Sequence, residues 1–133
     1  MHTHLRIARP VSDLSRSVTM YQHGLGLVTV GQFEDHEGFS GVMLGYPNSA
    51  YHFEFTICDA HPIAPAPTLE DLLVLYFPEL EKWGKARDRM LEAGFNEVAP
   101  FNPYWRKHGC TFEDYDGYRL VLEQGEWSIV EFR

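Results

Sequence analysis

The chain has 133 residues, 44% of them hydrophobic and 14% aromatic, which predicts one domain with a buried core and excludes a disordered chain. Its formal net charge of −8 argues against nucleic acid as a partner, because phosphate backbones are bound by clustered Lys and Arg. No apolar run is long enough to span a membrane, so no membrane partner is predicted. The polar N-terminus, without a signal-peptide pattern, and two cysteines outside any CxxC spacing predict a cytoplasmic protein with reduced thiols.

The first half of the chain alternates between strand and helix signals. Polar and apolar residues alternate over residues 4–10, which predicts a strand. A helix follows, with Ser12 as the predicted N-cap and Gly24 or Gly26 as its end. Three further strands are predicted over residues 27–34, 39–46 and 51–58.

The second half repeats this order after a proline-rich linker over residues 59–67. Residues 71–77 are almost all apolar and predict a strand buried on both faces. Pro78 suits the first turn of the next helix, which ends at Gly94. Its predicted buried stripe comprises Leu80, Trp83, Ala86, Met90 and Leu91. A short strand over 96–99 and two strands around a turn complete the pattern β-α-β-β-β, linker, β-α-β-β-β.

The last predicted turn and strand carry charged residues on one face. The turn is Asp-Tyr-Asp-Gly over residues 114–117, where Asp bonds its own backbone and Gly accepts a positive φ. In the strand that follows, Leu120 and Leu122 point one way, while Arg119, Val121 and Glu123 point the other. We expect function on that charged face, and a solvated outer face is the alternative.

This turn, with the alternating strand after it, resembles the end of a glyoxalase/bleomycin-resistance/dioxygenase domain of the vicinal oxygen chelate superfamily. Tyr115 stands where that family usually has proline. The N-terminal Val-Ser-Asp-Leu, Met-Tyr and Gly-Leu-Gly-Leu, at residues 11–14, 20–21 and 24–27, are similar to the family's opening. The resemblance implies an α+β fold of two βαβββ modules forming a cupped mixed sheet, with helices on the outer face. It implies one domain over residues 1–133, with module 1 at about 4–58 and module 2 at about 71–124.

The resemblance also implies where metal-dependent members place their four ligands. Counted from the motifs, these positions fall on Arg6, Glu54, a residue near Leu72, and Val121. Glu54 alone is a metal-ligand type, and Arg stays protonated and cannot coordinate an ion. We therefore expect no family metal and no cofactor.

Arg6 at a metal-ligand position predicts a different site. A guanidinium supplies positive charge where the ion would lie and pairs with the Glu54 carboxylate. We expect Arg119 to add a second cation in the same cavity, with Tyr104 and Trp105 as aromatic walls. The predicted ligand-binding residues are thus Arg6, Glu54, Tyr104, Trp105 and Arg119. The alternative for Arg6 and Glu54 is a buried structural ion pair.

His52 shares the predicted inner face with Glu54, and these two are the candidate catalytic residues, through general acid/base work. A hydrogen-bonded strand histidine is the alternative for His52. His2 and His4 lie near the terminus, and the alternative for them is an adventitious metal contact that includes His52.

These features predict a small-molecule-binding protein of this superfamily that works without the metal and takes an anionic or aromatic ligand. One alternative is a metal-dependent lyase, isomerase or dioxygenase using Glu54 and His52, and another is a protein-interaction module. The apolar tail around Trp127 and Phe132 predicts a homodimer.

Overall fold

The structure is a computed structural model that describes residues 3–128, and it contains the predicted βαβββ unit twice. The first unit comprises β1 (Leu5–Pro10), α1 (Leu14–Leu25), β2 (Val28–His36), β3 (Phe39–Gly45) and β4 (Tyr51–Cys58). The second comprises β5 (Leu72–Phe77), α2 (Leu80–Glu92), β6 (Asn96–Val98), β7 (Gly109–Glu113) and β8 (Arg119–Gln124), with a 3-10 helix at Pro103–Arg106. The predicted α+β class is confirmed.

Each unit forms its own four-stranded mixed sheet. The strand order is β1-β4-β3-β2 in the first sheet and β5-β8-β7-β6 in the second. The pairs β1/β4 and β5/β8 are parallel, and the other pairs are antiparallel. Within residues 3–128, the two sheets are separate, with β1 and β5 as edge strands, and side chains from both sheets meet in one core cluster.

A single apolar core joins both sheets and both helices. Tyr21 on α1 is fully buried, and its ring packs edge-on against Phe55 of β4 at 4.7 Å and Phe95 after α2 at 5.3 Å. Leu120 and Leu122 of β8 belong to the same cluster. Because side chains alternate along a strand, the faces opposite these residues point away from the core.

The Asp114 turn ties the second unit to the first. The Asp114 carboxylate accepts hydrogen bonds from the Tyr21 hydroxyl at 2.7 Å and from the backbone N–H groups of Asp116 and Tyr118 at 2.8 and 3.0 Å. Gly117 has the left-handed φ of 87° that this turn requires. The predicted turn is therefore present, and its Asp also anchors the buried tyrosine.

The predicted N-cap of α1 is wrong by one residue. Asp13, not Ser12, caps the helix by accepting the Arg16 N–H at 3.0 Å. The Ser12 hydroxyl and backbone N–H both donate to the Asp116 carboxylate instead. The hydroxyl is thus engaged across the two units, a partner choice that local sequence does not encode.

Two predictions for the second unit also need correction. On α2, Ala86 and Met90 are fully buried and Trp83 is half-buried, but Leu80 and Leu91 are 68% and 44% exposed. Residues 72–77 are half-buried or exposed rather than buried on both faces, because β5 is an edge strand. Both differences follow from packing at the margin of the core.

Of the C-terminal tail, the structure describes the chain up to residue 128, where Trp127 is 65% exposed. The other predicted apolar tail residues, Ile129, Val130 and Phe132, lie outside the described residues. The helices α1 and α2 have 12 and 13 residues, and within residues 3–128 none is long and apolar enough to cross a membrane.

Candidate functional site

The first sheet carries a polar cluster on β1 and β4, on the face away from the core. Parallel pairing sets Arg6 beside His52, and Glu54 follows two residues along the same face. Arg6 donates from Nε to His52 Nε2 at 2.9 Å and from Nη1 to Glu54 Oε2 at 3.3 Å. We call this surface the open face, because the Arg6 side chain is 47% exposed.

The hydrogen bonds of His52 fix its tautomer. Its Nε2 accepts from Arg6 and therefore carries no proton, so Nδ1 carries the proton and donates to His4 Nε2 at 2.6 Å. Desolvation, followed by the positive charge of Arg6 and by His4, lowers the pKa of His52, and the Glu54 carboxylate opposes the shift. His52 is therefore neutral at neutral pH, with both ring nitrogens engaged.

Apolar side chains flank this cluster on β2 and β3. Met43 is the cross-strand partner of Glu54, so the two side chains share the open face. The Phe33 ring lies across Gly41, where an added Cβ would come within 2.7 Å of two ring carbons. Phe39, also on β3, is 47% exposed. The open face thus combines an Arg–Glu pair with apolar side chains beside it.

The open face continues into a cavity of about 890 Å³ between β1, β4 and the linker, which we call the linker cavity. Ala8 and Thr56, which neighbour Glu54 on the open face, line it together with Ile57 and Ile63. Its volume falls within the range typical of small-molecule sites. The sequence did not identify this space, because the proline-rich linker has no periodic pattern.

Arg119, predicted to share a cavity with Arg6, lies on the second sheet. It donates from Nε to Glu113 Oε2 at 2.9 Å and from Nη1 to the Ala99 carbonyl at 3.3 Å. Arg119 is 8% exposed and Val121 fully buried, so this face is neither open nor solvated. Within one chain, the charge of Arg119 is therefore balanced by Glu113 and is not added to the Arg6–Glu54 pair.

The aromatic segment, residues 101–105, covers part of this second face. Trp105 is half-buried and lines a cavity of about 200 Å³ together with Arg119, which we call the small cavity. Tyr104 packs edge-on against Trp105 at 4.9 Å and is 66% exposed. The structure thus brings Trp105 and Arg119 together and leaves Tyr104 at the surface.

Glu123 is a buried acid that the sequence analysis did not single out as a site residue. It is 8% exposed, and its Oε1 has no hydrogen-bond partner among residues 3–128. Burial raises the pKa of its carboxyl group, and His108 opposes the shift. Gly109 lies opposite, and a Cβ there would come within 2.6 Å of Oε1. In the sequence, the signal for this close approach is a glycine on one strand that pairs with a glutamate on the next.

The four metal-ligand positions of the superfamily do not form a donor set in this chain. Arg6 directs a guanidinium at Glu54, and a guanidinium supplies no lone pair to an ion. Leu72 and Val121 have no donor atom, and Val121 is sealed from solvent. Within residues 3–128, no group of three or more His, Cys, Asp or Glu side chains could hold a metal ion. The residues present therefore do not fit the superfamily's metal.

Two βαβββ modules, each with a helix on one face of a mixed sheet and charged residues on the other, define a member of the glyoxalase/bleomycin-resistance/dioxygenase superfamily. Comparison with known sequences identifies the family within it. Residues 5–56 match the YycE-like N-terminal domain, and residues 70–124 match the YycE-like C-terminal domain. The YycE protein of Bacillus subtilis (strain 168) is 40% identical over 118 residues, which cover 89% of this chain and 85% of that protein. The chain belongs to the YycE-like family.

Solved structures agree with this assignment. The crystal structure of B. subtilis YycE matches with a TM-score of 0.86 and 38% identity, covering 96% of this chain and 92% of that one. Glyoxalase I from Leishmania major matches with a TM-score of 0.71 and 18% identity, over 94% and 88% of the two chains. The fosfomycin resistance protein FosX from Mesorhizobium loti matches with a TM-score of 0.71 and 12% identity, over 95% of this chain and 92% of that one. At these low identities, the last two support the fold alone.

Proposed function

We propose that this protein binds an aromatic small molecule that carries an anionic group, on the open face, without the superfamily's metal. The observation that carries the proposal is the Arg6 guanidinium. It stands at a metal-ligand position, is fixed by His52 and Glu54, and remains half exposed. A fixed, partly exposed guanidinium is a strong recognition group for carboxylates and related anions.

The lining supports both parts of this ligand. Among residues 3–128, the hydrogen bonds of Arg6 use Nε and Nη1, which leaves Nη2 for an anionic oxygen. Met43 and Phe39 supply apolar contact area beside it, and the linker cavity supplies volume.

A second copy of the chain is expected to cover the open face. The predicted ligand-binding residues Tyr104, Trp105 and Arg119 belong to the second unit, and in our proposal they reach a ligand held by Arg6 across a subunit boundary. The exposed Trp127 adds an apolar surface for such a partner. We propose a twofold-symmetric homodimer, in the cytoplasm, with Cys58 and Cys110 as free thiols.

The alternative of an enzyme using Glu54 and His52 receives less support from the geometry. A general base needs a free lone pair within reach of substrate, whereas His52 Nε2 accepts from Arg6 and Nδ1 donates to His4. A metal ion at His52 would have to displace Arg6 from the same nitrogen. The hydrogen-bond chain therefore favours a binding role.

A thermal-shift panel tests the proposal with the wild-type protein and Arg6→Met. We expect naphthoate and naphthylphosphonate to raise the melting temperature, benzamidine to have less effect, and Arg6→Met to abolish the response to the anions. Lys85→Met is the matched control, because Lys85 pairs with Glu81 on the exposed side of α2. Shifts with benzamidine alone would overturn the charge argument.

Elemental analysis of untagged protein provides the second test. We expect no stoichiometric Mn, Fe, Ni or Zn, because Arg6, Leu72 and Val121 cannot donate to an ion. One metal per chain that is lost in Glu54→Gln would refute the metal-free proposal and revive the enzyme alternative.

A further inference from the structure

Two glycines of the open face lie beneath side chains of neighbouring strands. Gly31 on β2 is the cross-strand partner of Met43, and Gly41 on β3 is the partner of Phe33. A Cβ added to Gly31 would come within 3.1 Å of the Met43 sulfur, and one added to Gly41 within 2.7 Å of two Phe33 ring carbons. Both side chains therefore lie along the sheet rather than standing away from it.

These side chains form a low apolar surface, which we call the platform: Phe33 and Met43, with Gly31 and Gly41 beneath them. Gly41 is buried although its face is open, because the Phe33 ring covers it. Phe33 and Met43 themselves are half-buried, so part of each remains accessible to a ligand. A phenyl ring and a thioether both make favourable contacts with aromatic rings, so the platform suits an aromatic ligand better than a saturated one.

The distance from Arg6 to the platform sets the number of rings. Glu54, which accepts from Arg6, is the cross-strand partner of Met43, and Gly41 pairs two residues further along β4. Strands lie about 4.8 Å apart and residues about 3.3 Å apart along a strand, so Gly41 lies about 8 Å from Glu54. A single ring on a carboxylate at Arg6 therefore reaches Met43 and stops short of Phe33, whereas two or three fused rings reach both.

We propose that the open face selects planar acids with two or more fused aromatic rings, which stack on the platform while the acid group binds Arg6. The inference rests on the function proposed above and narrows its ligand class. A saturated ring system of the same length is thicker and puckered, so it contacts fewer atoms of the platform. Gly41 determines this specificity, because any larger residue there would lift the Phe33 ring from the sheet.

Three carboxylates test the inference in NMR titrations of the full chain, followed at backbone N–H groups of β3 and β4. We expect 2-naphthoate to bind about tenfold more tightly than benzoate, from the added stacking contact and the apolar area that it buries. Decahydro-2-naphthoate has the same length without planarity and is expected to bind about fivefold more weakly than 2-naphthoate.

Phe33→Leu is the decisive variant, because it removes the ring and keeps an apolar side chain. It is expected to remove most of the preference for 2-naphthoate and to leave the benzoate affinity unchanged. Gly41→Ala is expected to have the same effect while every atom of Phe33 is kept. Tyr115→Leu is the matched control, because the exposed Tyr115 ring stacks on Arg16 of α1, which packs on the opposite face of the sheet.

The alternative is that Phe33 only shields the backbone at Gly41. In that case Phe33→Leu would lower the melting temperature and leave the ratio of the 2-naphthoate and benzoate affinities unchanged, which would overturn the inference. Equal binding of decahydro-2-naphthoate and 2-naphthoate would assign the gain to size and contradict the selection of planar rings.

Arg6→Met separates this inference from the proposed function. If benzoate and 2-naphthoate bind equally well and both are lost in Arg6→Met, the platform has no role in selection and the proposed function stands. If neither acid binds the wild type, the proposed function is refuted and the inference that rests on it is refuted as well. A preference for 2-naphthoate that is lost in Phe33→Leu, with binding of both acids lost in Arg6→Met, would support both.

Discussion

Replacing Arg6 by methionine removes the charge at the centre of the hydrogen-bond chain on the open face and keeps most of the arm's length. Two hydrogen bonds are lost, to His52 at 2.9 Å and to Glu54 at 3.3 Å. Met at this position is expected to leave the core undisturbed, because Arg6 lies on the face opposite Ile7 and the core cluster.

The expected cost follows from the exposure of the pair. The Arg6 side chain is 47% exposed, whereas Glu54 is 13% exposed. Exposed ion pairs contribute about 0.2–1 kcal/mol, while leaving a buried group unpaired costs about 1–3 kcal/mol. The Arg6–Glu54 pair lies between these cases, so we expect a loss of about 1 kcal/mol. For a chain of this length, that lowers the melting temperature by about 3–5 °C.

His52 gives a second and more specific measurement. Arg6 is the largest charge that lowers the pKa of His52, after desolvation, so Arg6→Met should raise that pKa in an NMR titration. In the wild type, the unfolded chain binds the His52 proton more readily than the folded one. Stability from this group is therefore full above the unfolded pKa and falls as the pH decreases through the folded pKa. In Arg6→Met the pH range over which His52 changes the stability should narrow, because the folded pKa of His52 lies nearer to its unfolded value.

Urea denaturation with the Lys85→Met control completes the experiment. Removing the exposed Lys85–Glu81 pair should lower the free energy of unfolding by no more than about 0.5 kcal/mol and should leave the pKa of His52 unchanged. A loss above about 3 kcal/mol in Arg6→Met would indicate a structural ion pair of the buried kind. An unchanged pKa of His52 would show that the hydrogen-bond chain is wrong.

Three further predictions concern the core, the second sheet and assembly. Tyr21→Phe should lose about 1.5–3 kcal/mol in urea denaturation, because the hydroxyl donates to the Asp114 carboxylate; Tyr104→Phe is the exposed control, and equal losses would contradict the assignment. Glu123→Gln should stabilise the protein at neutral pH. The raised pKa of the Glu123 carboxyl group means that wild-type stability falls as the pH rises from about 4.5 through the folded pKa. A stability gain in Glu123→Gln that persists below that pH range would show that the raised pKa is not its cause. Light scattering at micromolar concentration should give the mass of two chains, with Trp127 at or near the interface, and the mass of one chain would refute the dimer.

The fold was predictable because its signals are local. The strand at Tyr51–Cys58 has the predicted bounds, since strict alternation of Phe and polar residues specifies both the strand and its faces. The turn at residues 114–117 was predictable from Asp and Gly alone. The helix end at Gly26, with φ of 69°, follows from the freedom of glycine in the left-handed region.

The site was predictable only where one residue pattern decides it. Strand parity placed His52 and Glu54 on one face, the family resemblance placed Arg6 near Glu54, and the structure shows Arg6 hydrogen-bonded to both. The partner of Arg119 was not predictable in this way, because Arg119 reaches Glu113 across the β7–β8 pair. The sequence alone offers every other acidic side chain of the chain as an equal candidate for that pairing. Likewise, Ser12 has the chemistry of an N-cap, and only the fold brings Asp116 to it.

The two sheets each hold an arginine–glutamate pair on the face away from the core, and exposure separates their roles. Arg119 has a side chain that is 9% exposed and is tied to Glu113 and a carbonyl, so its charge is committed to holding the β7–β8 end beneath the aromatic segment. Arg6 makes a similar pair with Glu54 but keeps 47% of its side chain in solvent. A charge that is fixed by neighbours and still accessible is pre-organised for a ligand, because its orientation needs no further ordering on binding. This difference in accessibility, rather than the count of cations, makes Arg6 the residue on which recognition at the open face depends.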